Sequence, residues 1–569
     1  MTSRSLCAAA AAFALALSWH AAWGAKAPQS RLSAPEDLVI WGGHIYTGDD
    51  SRPTAQAIGV RGGRINFVGS RRALAQAVGP HTQVIDLRGA TLFPGFTDAH
   101  AHLREIGERE LTLNLEGSPS LAAMLERVRK AADAAPPGQT LLGRGWIETH
   151  WPEARFPTAT DLDGVAPDRP VILERADGHA LVANSAALRA AHIDAATPAP
   201  FGGQIARGPD GQPNGMLIDA AAALIAPVLP KPTAAFKDQA YRAAFKVYPA
   251  YGWTGVHFMS VDYADVPLLE SYARHGQLPL RVYNAVTAED AGQLLANGPR
   301  TAADGRVITR TLKFYMDGAL GSRGAALFET YADADTTGLI KMKRDETLKV
   351  WEAALRRGLQ VTTHAIGDRA NHMTLDWYEQ AFAAVPPSQR GVAQPRWRIE
   401  HAQNLIPSDI PRFAQLGVIP SMQPSHAIGD LYFAPKRLGR ERLKGAYAWQ
   451  SLINAGAIIP GGTDAPVERG DPRIEFYAAI TRRGLDGFQT QDWHPEQAVS
   501  RPTALKMFTL WPAYASFREG ELGLIKPGYR ADFTVFDTDF MTAPPSAILK
   551  ARALMTVLDG AVAFRAAGW

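Results

Sequence analysis

Cysteine is all but missing: the 569 residues contain one, Cys7, ahead of an apolar run at the N-terminus. A chain so poor in thiols builds neither a disulfide framework nor a thiolate metal site. Charge of one sign is also lacking. Lys and Arg number 59 against 56 Asp and Glu, a net charge of +3, too weak at this length to indicate a nucleic-acid partner. The apolar run from about Leu6 to Leu17 falls short of the roughly 20 residues that cross a bilayer. Arg4 precedes it and Ala22-Trp23-Gly24 follow it, the order of a secretory signal. A retained anchor is the alternative. Cleavage after residue 24 would remove the only cysteine and leave an exported protein, periplasmic or secreted, with no membrane contact. Two catalytic signatures are absent as well. No serine nucleophile elbow occurs, and "DGALGSRGA" lacks the strand–turn–helix spacing of a nucleotide loop.

What is present is a large globular chain, 46% hydrophobic and 20% charged, longer than one ordinary domain. Both ends carry short β-rich runs broken by turn residues: "DLVIWGGHIYTGDD" and "AIGVRGGRINFVGS" near the start, "ADFTVFDTDF" and "ARALMTVLDGAVAF" near the end. They predict a small β-sandwich domain built jointly from residues 36–90 and 520–569. Between them apolar strands alternate with helical stretches, the pattern of parallel βα units. Eight strand candidates can be counted: "ATLFPGFTDAH", "GWTGVHFMS", "PLRVYNAV", "RTLKFYMDG", "LQVTTHAIG", "RWRIEHAQ", "GVIPSMQP" and "GAIIPGGTDAP". Eight closes a barrel, so residues 91–519 read as an α/β domain of the (β/α)8 TIM type. A long insertion, about residues 104–250, follows the first strand and should overhang the catalytic face.

The ends of these strands carry the chemistry. His100 and His102 close the first, two residues apart and therefore on one face. Lys313 lies on the fourth, His364 ends the fifth, His401 the sixth and Asp464 the eighth. All but the lysine are standard ligands of a divalent metal, and all sit where barrels place their active sites. A single strand histidine is usually a packed core residue; five ligand-type residues at the ends of four strands are not explained by packing.

This order resembles the amidohydrolase superfamily of metal-dependent hydrolases. "GRGW", "DGHALVANSAAL", "KFYMDGALGSRGAAL", "THAIGDRAN", "RIEHAQ", "SMQPSH" and "GTDAPVE" are more narrowly similar to its YtcJ-like branch, amidohydrolase family 3, which includes N-substituted formamide deformylases. The resemblance implies a distorted (β/α)8 barrel with a flanking β-sandwich. It also implies two divalent ions per chain, zinc by analogy, although one is allowed. His100, His102 and Asp464 would hold the first, and His364 and His401 the second. Lys313, carboxylated by CO2, would bridge them, since a protonated lysine cannot ligate a cation. The alternative for Lys313 is an ion pair with nearby Asp317.

A metal lowers the pKa of bound water toward roughly 7. Asp464 is then placed to take that water's proton and pass it to a departing amine. The expected reaction is hydrolysis of a non-peptide carbon–nitrogen bond in a small amide-like molecule. The same scaffold hydrolysing an ester, lactone or phosphoester, and a non-catalytic exported binding protein, are the competing readings. A homodimer is compatible with all three. His179, in the insertion, is the second candidate catalytic residue, as a substrate or oxyanion contact. His426 either lines the pocket or faces solvent, and Trp146 and Trp151 either wall it or pack in a core. Asp368 and Arg369 read as a structural ion pair beside His364.

Overall fold

The computed structural model describes residues 35–230 and 232–569. The expected signal, with Cys7, lies outside the described residues. Among them no helix is long and apolar enough to cross a membrane.

Strands from the two chain ends form one eight-stranded sheet. Thr91–Pro94 joins the halves, pairing in parallel with Leu38–Tyr46 and antiparallel with Phe533–Phe536. Alternation along these strands buries one apolar set, including Ile40, Ile58, Leu92, Val535 and Met555, as a core of its own. The adjoining chain, Phe96–Ala101, is already the first barrel strand. This sheet therefore anchors the strand that carries the first two histidines.

The barrel is a run of parallel strands in chain order: Phe96–Ala101, Trp253–Val261, Arg281–Thr287, Val307–Tyr315, Gln360–Ala365, Arg398–His401 and Ile419–Ser421. Each is buried on both faces, which explains why these stretches read as near-continuous apolar runs. Helices return the chain between them. Arg344–Arg357, for example, ends at Gly358, whose φ of +67° lets the backbone turn directly into Gln360–Ala365.

The eighth strand expected at "GAIIPGGTDAP" does not form as a ladder. Two isolated parallel bridges, Met422↔Gly461 and Ala101↔Ala465, close the ring instead. Pro460 and Pro466 lack amide hydrogens, and Asp464 adopts φ +59°, so the segment cannot present a regular row of donors. The result is a distorted (β/α)8 barrel with seven regular strands and one irregular stave.

The insertion folds around a six-stranded sheet ordered Gly203–Arg207, Pro213–Asp219, Ala180–Ala183, Val171–Arg175, Leu141–Trp146 and Leu113–Asn114. Trp146 and Trp151 pack in its core, 6.1 Å apart, with their ring N–H groups donated to the carbonyls of Leu173 and Ser118. They are core residues, not pocket walls.

Candidate metal centre

His100 lies within the first barrel strand, and His102 follows it as the residue preceding helix Leu103–Leu111. Their rings are 5.6 Å apart. Asp464 Oδ1 lies between them, 3.3 Å from His100 Nε2 and 3.1 Å from His102 Nε2. His401 closes the group from the sixth strand, its ring 4.9 Å from that of His100 and 4.5 Å from that of His364. The ligand atoms of His100, His401 and Asp464 lie within 4.8 Å of one another, all buried. Lys313 Nζ comes to 3.5 Å from His100 Nε2.

The other possibility for Lys313 is not realised. Asp317 spends its carboxylate on three backbone amides, those of Ala326 (2.8 Å), Ile366 (3.0 Å) and Gly367 (2.8 Å). Its nearest basic side chain is His364, at 3.5 Å.

Irregular backbone puts the closing carboxylate in place. Asp464 donates its N–H to the carbonyl of His100 at 2.7 Å. Thr463 donates both its N–H and its hydroxyl to Asp98, at 2.9 and 2.7 Å, and Tyr248 donates to the same carboxylate at 3.0 Å. A Cβ on Gly462 would sit 2.5 Å from the His100 nitrogen, so only glycine lets this segment press against the first strand. His401 and Asp464 hold φ of +73° and +59°, strained for residues with a Cβ and sustained by these surroundings.

The electrostatics suit a cation. Burial, reinforced by neighbouring positive groups, holds His364 and His401 well below the ordinary histidine pKa. Both rings are therefore neutral and keep a lone pair. Burial disfavours the charge on Asp464, but its contacts with His100 and His102 outweigh it and hold the carboxyl well below its usual range. Burial lowers Lys313 to about 8 against the opposing pull of Glu400 and Asp464. Imidazoles and an ionised carboxylate converging in a buried pocket form a donor set that fits a divalent metal.

Sequence reasoning missed the groups that orient these side chains. Glu400, one residue before His401, accepts from His100 Nδ1 at 2.6 Å, which turns Nε2 toward the cluster. Glu400 is itself held by Thr362 and by Arg398, whose Nε lies 2.7 Å away. Gln423 holds His401 Nδ1 at 2.8 Å. Glu400 and Gln423 lie inside stretches already singled out, "RIEHAQ" and "SMQPSH", but nothing in one strand names its partner on another.

Two chambers with shared walls adjoin the cluster: an inner one of about 320 Å³ reaching Lys313, and an outer one of about 500 Å³ with Leu320, Ile428 and Phe433 in its wall. His179, His364, His401 and Asp464 line both. His179 reaches the site from the insertion, its ring 4.9 Å from that of His364. His426 is buried in the outer wall, 3.6 Å from Asp464 Oδ2, and does not face solvent. The expected Asp368–Arg369 ion pair is not formed among the described residues. Asp368 accepts backbone amides of Phe328 and Arg369 instead, bracing the start of its helix.

A parallel barrel with its imidazoles and carboxylate gathered at the strand ends is the architecture of a barrel hydrolase. Residues 83–564 match the amidohydrolase family, Amidohydro_3. YtcJ of Bacillus subtilis is 34% identical over 92% of this chain and 99% of its own length. The N-substituted formamide deformylase of Arthrobacter pascens is 29% identical over 94% of this chain and 99% of its own. Among solved structures, an uncharacterized metal-dependent hydrolase from Pyrococcus horikoshii superposes with a TM-score of 0.71 at 26% identity, covering 89% of this chain and 99% of that one. The chain belongs to the amidohydrolase family.

Proposed function

We propose that this protein is a metal-dependent hydrolase that cleaves a non-peptide carbon–nitrogen bond in a small amide-like substrate. The observation that carries the reading is the convergence of His100, His102, His401 and Asp464, with Lys313 Nζ 3.5 Å from His100 Nε2, in one buried pocket. The name of the Arthrobacter relative, a formamide deformylase, favours the carbon–nitrogen bond over the ester.

His100, His102 and Asp464 would hold one divalent ion, zinc by donor type, and His364 and His401 a second. Lys313 would join the two sites as a carbamate. A buried amine lowered to about 8 has an appreciable neutral fraction near neutral pH, the form that CO2 attacks. Bound metal would supply a Lewis acid that acidifies water and polarises the scissile carbonyl. The protein's own residues do the rest. Glu400 and Gln423 fix the directions of His100 and His401. Asp464 takes the proton from the attacking water and returns it to the leaving amine. His179 contacts the carbonyl oxygen, and the apolar wall of the outer chamber receives the substrate's bulk.

The experiment is a panel of N-formyl amines, N-acyl amines, lactones, aryl esters and aryl phosphates given to metal-loaded protein. The expected result is turnover of the amide members and its loss on chelation. Turnover confined to phosphates or lactones would replace the carbon–nitrogen assignment.

The N-terminal pattern supports export. The mature chain is expected to begin near Ala25 and to be found outside the cytoplasm. N-terminal sequencing of native protein that still finds Met1 would refute export with cleavage.

A further inference from the structure

The glycine-rich segment after the fourth barrel strand, Asp317 to Gly324, has no nucleotide-loop spacing, and its backbone contact with the metal cluster, the Gly318 carbonyl 3.4 Å from His364 Nε2, does not need its glycines. They seat a carboxylate from the insertion. Asp219 ends the strand Pro213–Asp219, and its backbone N–H donates to the carbonyl of His179 at 2.8 Å. A Cβ on Gly318 or on Gly324 would overlap the Asp219 carboxylate, so both positions leave the space it fills. Asp219 also holds φ +49°, a strained value for a residue with a Cβ, kept only where the surroundings over-determine it.

Two donors converge on its Oδ1: His179 Nδ1 at 2.7 Å and Lys341 Nζ at 3.2 Å. Lys341 belongs to the barrel, tied by its own N–H to the carbonyl of Met316 at 2.8 Å, just past the fourth strand. Burial works against the Asp219 charge, but His179 and Lys341 outweigh it and hold the carboxyl below its ordinary range. An ionised carboxylate only accepts hydrogen bonds. The hydrogen of this contact therefore belongs to His179 Nδ1, and Nε2 is the ring nitrogen left for the chamber beside His364.

We propose that Asp219 is a positioning residue for His179: it fixes the Nδ1–H tautomer and the direction of the ring, while Lys341 ties the pair to the barrel. The insertion then contributes a prealigned imidazole to the reaction chamber and not merely a roof over it. The catalytic half of this inference rests on the hydrolase reading given above; the tautomer does not.

The test uses the full-length, metal-loaded protein labelled with ¹⁵N-histidine. The His179 resonances, identified by their absence in His179→Gln, should show hydrogen on Nδ1 with the shifted proton of a strong hydrogen bond. That proton signal should vanish in Asp219→Ala. On the amide turned over best by the wild type, Asp219→Ala should lower kcat about 10–100-fold with KM within about twofold. Added to His179→Ala, it should cost nothing further, since it acts only through that ring. If Asp219→Ala does not fold, Asp219→Asn preserves the volume between the glycines and should show the same kcat–KM split in weaker form. A wild-type His179 with bare Nδ1, or losses from His179→Ala and Asp219→Ala that multiply, would overturn the assignment. If no substrate in the panel is turned over, the hydrolase reading fails, while the resonances still decide the role of Asp219.

Discussion

His100→Ala is expected to lose bound metal and nearly all turnover together. The side chain is fully buried and works on both sides of its ring. Nδ1 meets Glu400 at 2.6 Å, and Nε2 faces Asp464 at 3.3 Å and Lys313 at 3.5 Å. Removing it deletes a proposed ligand and unties Glu400, which keeps Thr362 and Arg398 as partners and so is not stranded as a bare charge. The fold should survive with a loss of about 2–4 kcal/mol, from a small cavity and one charge-assisted hydrogen bond. The catalytic loss is much larger. If the metal stabilises the transition state by roughly 4 kcal/mol, its removal costs about a thousandfold in kcat/KM. Glu400→Gln, which leaves the ligands intact but relaxes one of them, should cost only about 10–100-fold. Metal content per chain, circular dichroism and turnover on one preparation check all three statements. A His100→Ala protein that keeps wild-type turnover, or a chelated wild type that does, would end the metal reading.

The contrast between His100 and Glu400 also marks how much the sequence could reveal. His100, His102, His364 and His401 were legible because each closes an apolar run, and the ends of parallel strands converge by the geometry of a barrel. Convergence needs only the strand count, not the distances. The eighth stave was legible as a position but not as a strand. Its glycines and prolines were visible, yet whether they break a ladder depends on the neighbours, here His100 beneath Gly462 and Asp98 beneath Thr463. Glu400 was hidden because its partner lies 300 residues away along the chain. Asp219 was hidden for the same reason, since the two glycines and the lysine that seat it belong to a barrel loop about a hundred residues later. Ligand types announce themselves by chemistry, whereas the groups that aim them are recognised only by contact. Trp146 and Trp151 show the opposite case, in which the sequence leaves a pocket wall and a core both open and the contacts decide for the core.

Asp464→Asn is the change that separates a catalyst from a protein that only binds metal. The carboxylate is well placed for both roles: Oδ1 lies within 3.3 Å of two imidazoles, and Oδ2 is 3.6 Å from His426 on the side of the outer chamber. The surrounding histidines keep it ionised despite its burial, so it is ready to accept a proton. Asparagine keeps the shape and one oxygen ligand but cannot take that proton. Most of the bound metal should therefore remain, because the histidines are untouched. Proton transfer by a positioned side chain is typically worth about 10²–10⁴-fold, so kcat on amides should fall by at least roughly a hundredfold. An amine is a poor leaving group until protonated, whereas the alcohol of an activated ester departs as its anion. Ester hydrolysis by the same variant should consequently lose much less, and the ratio of the two losses isolates the proton returned to the leaving group. Equal losses on both substrates would confine Asp464 to holding metal and water. Undiminished amide hydrolysis would remove it from the reaction.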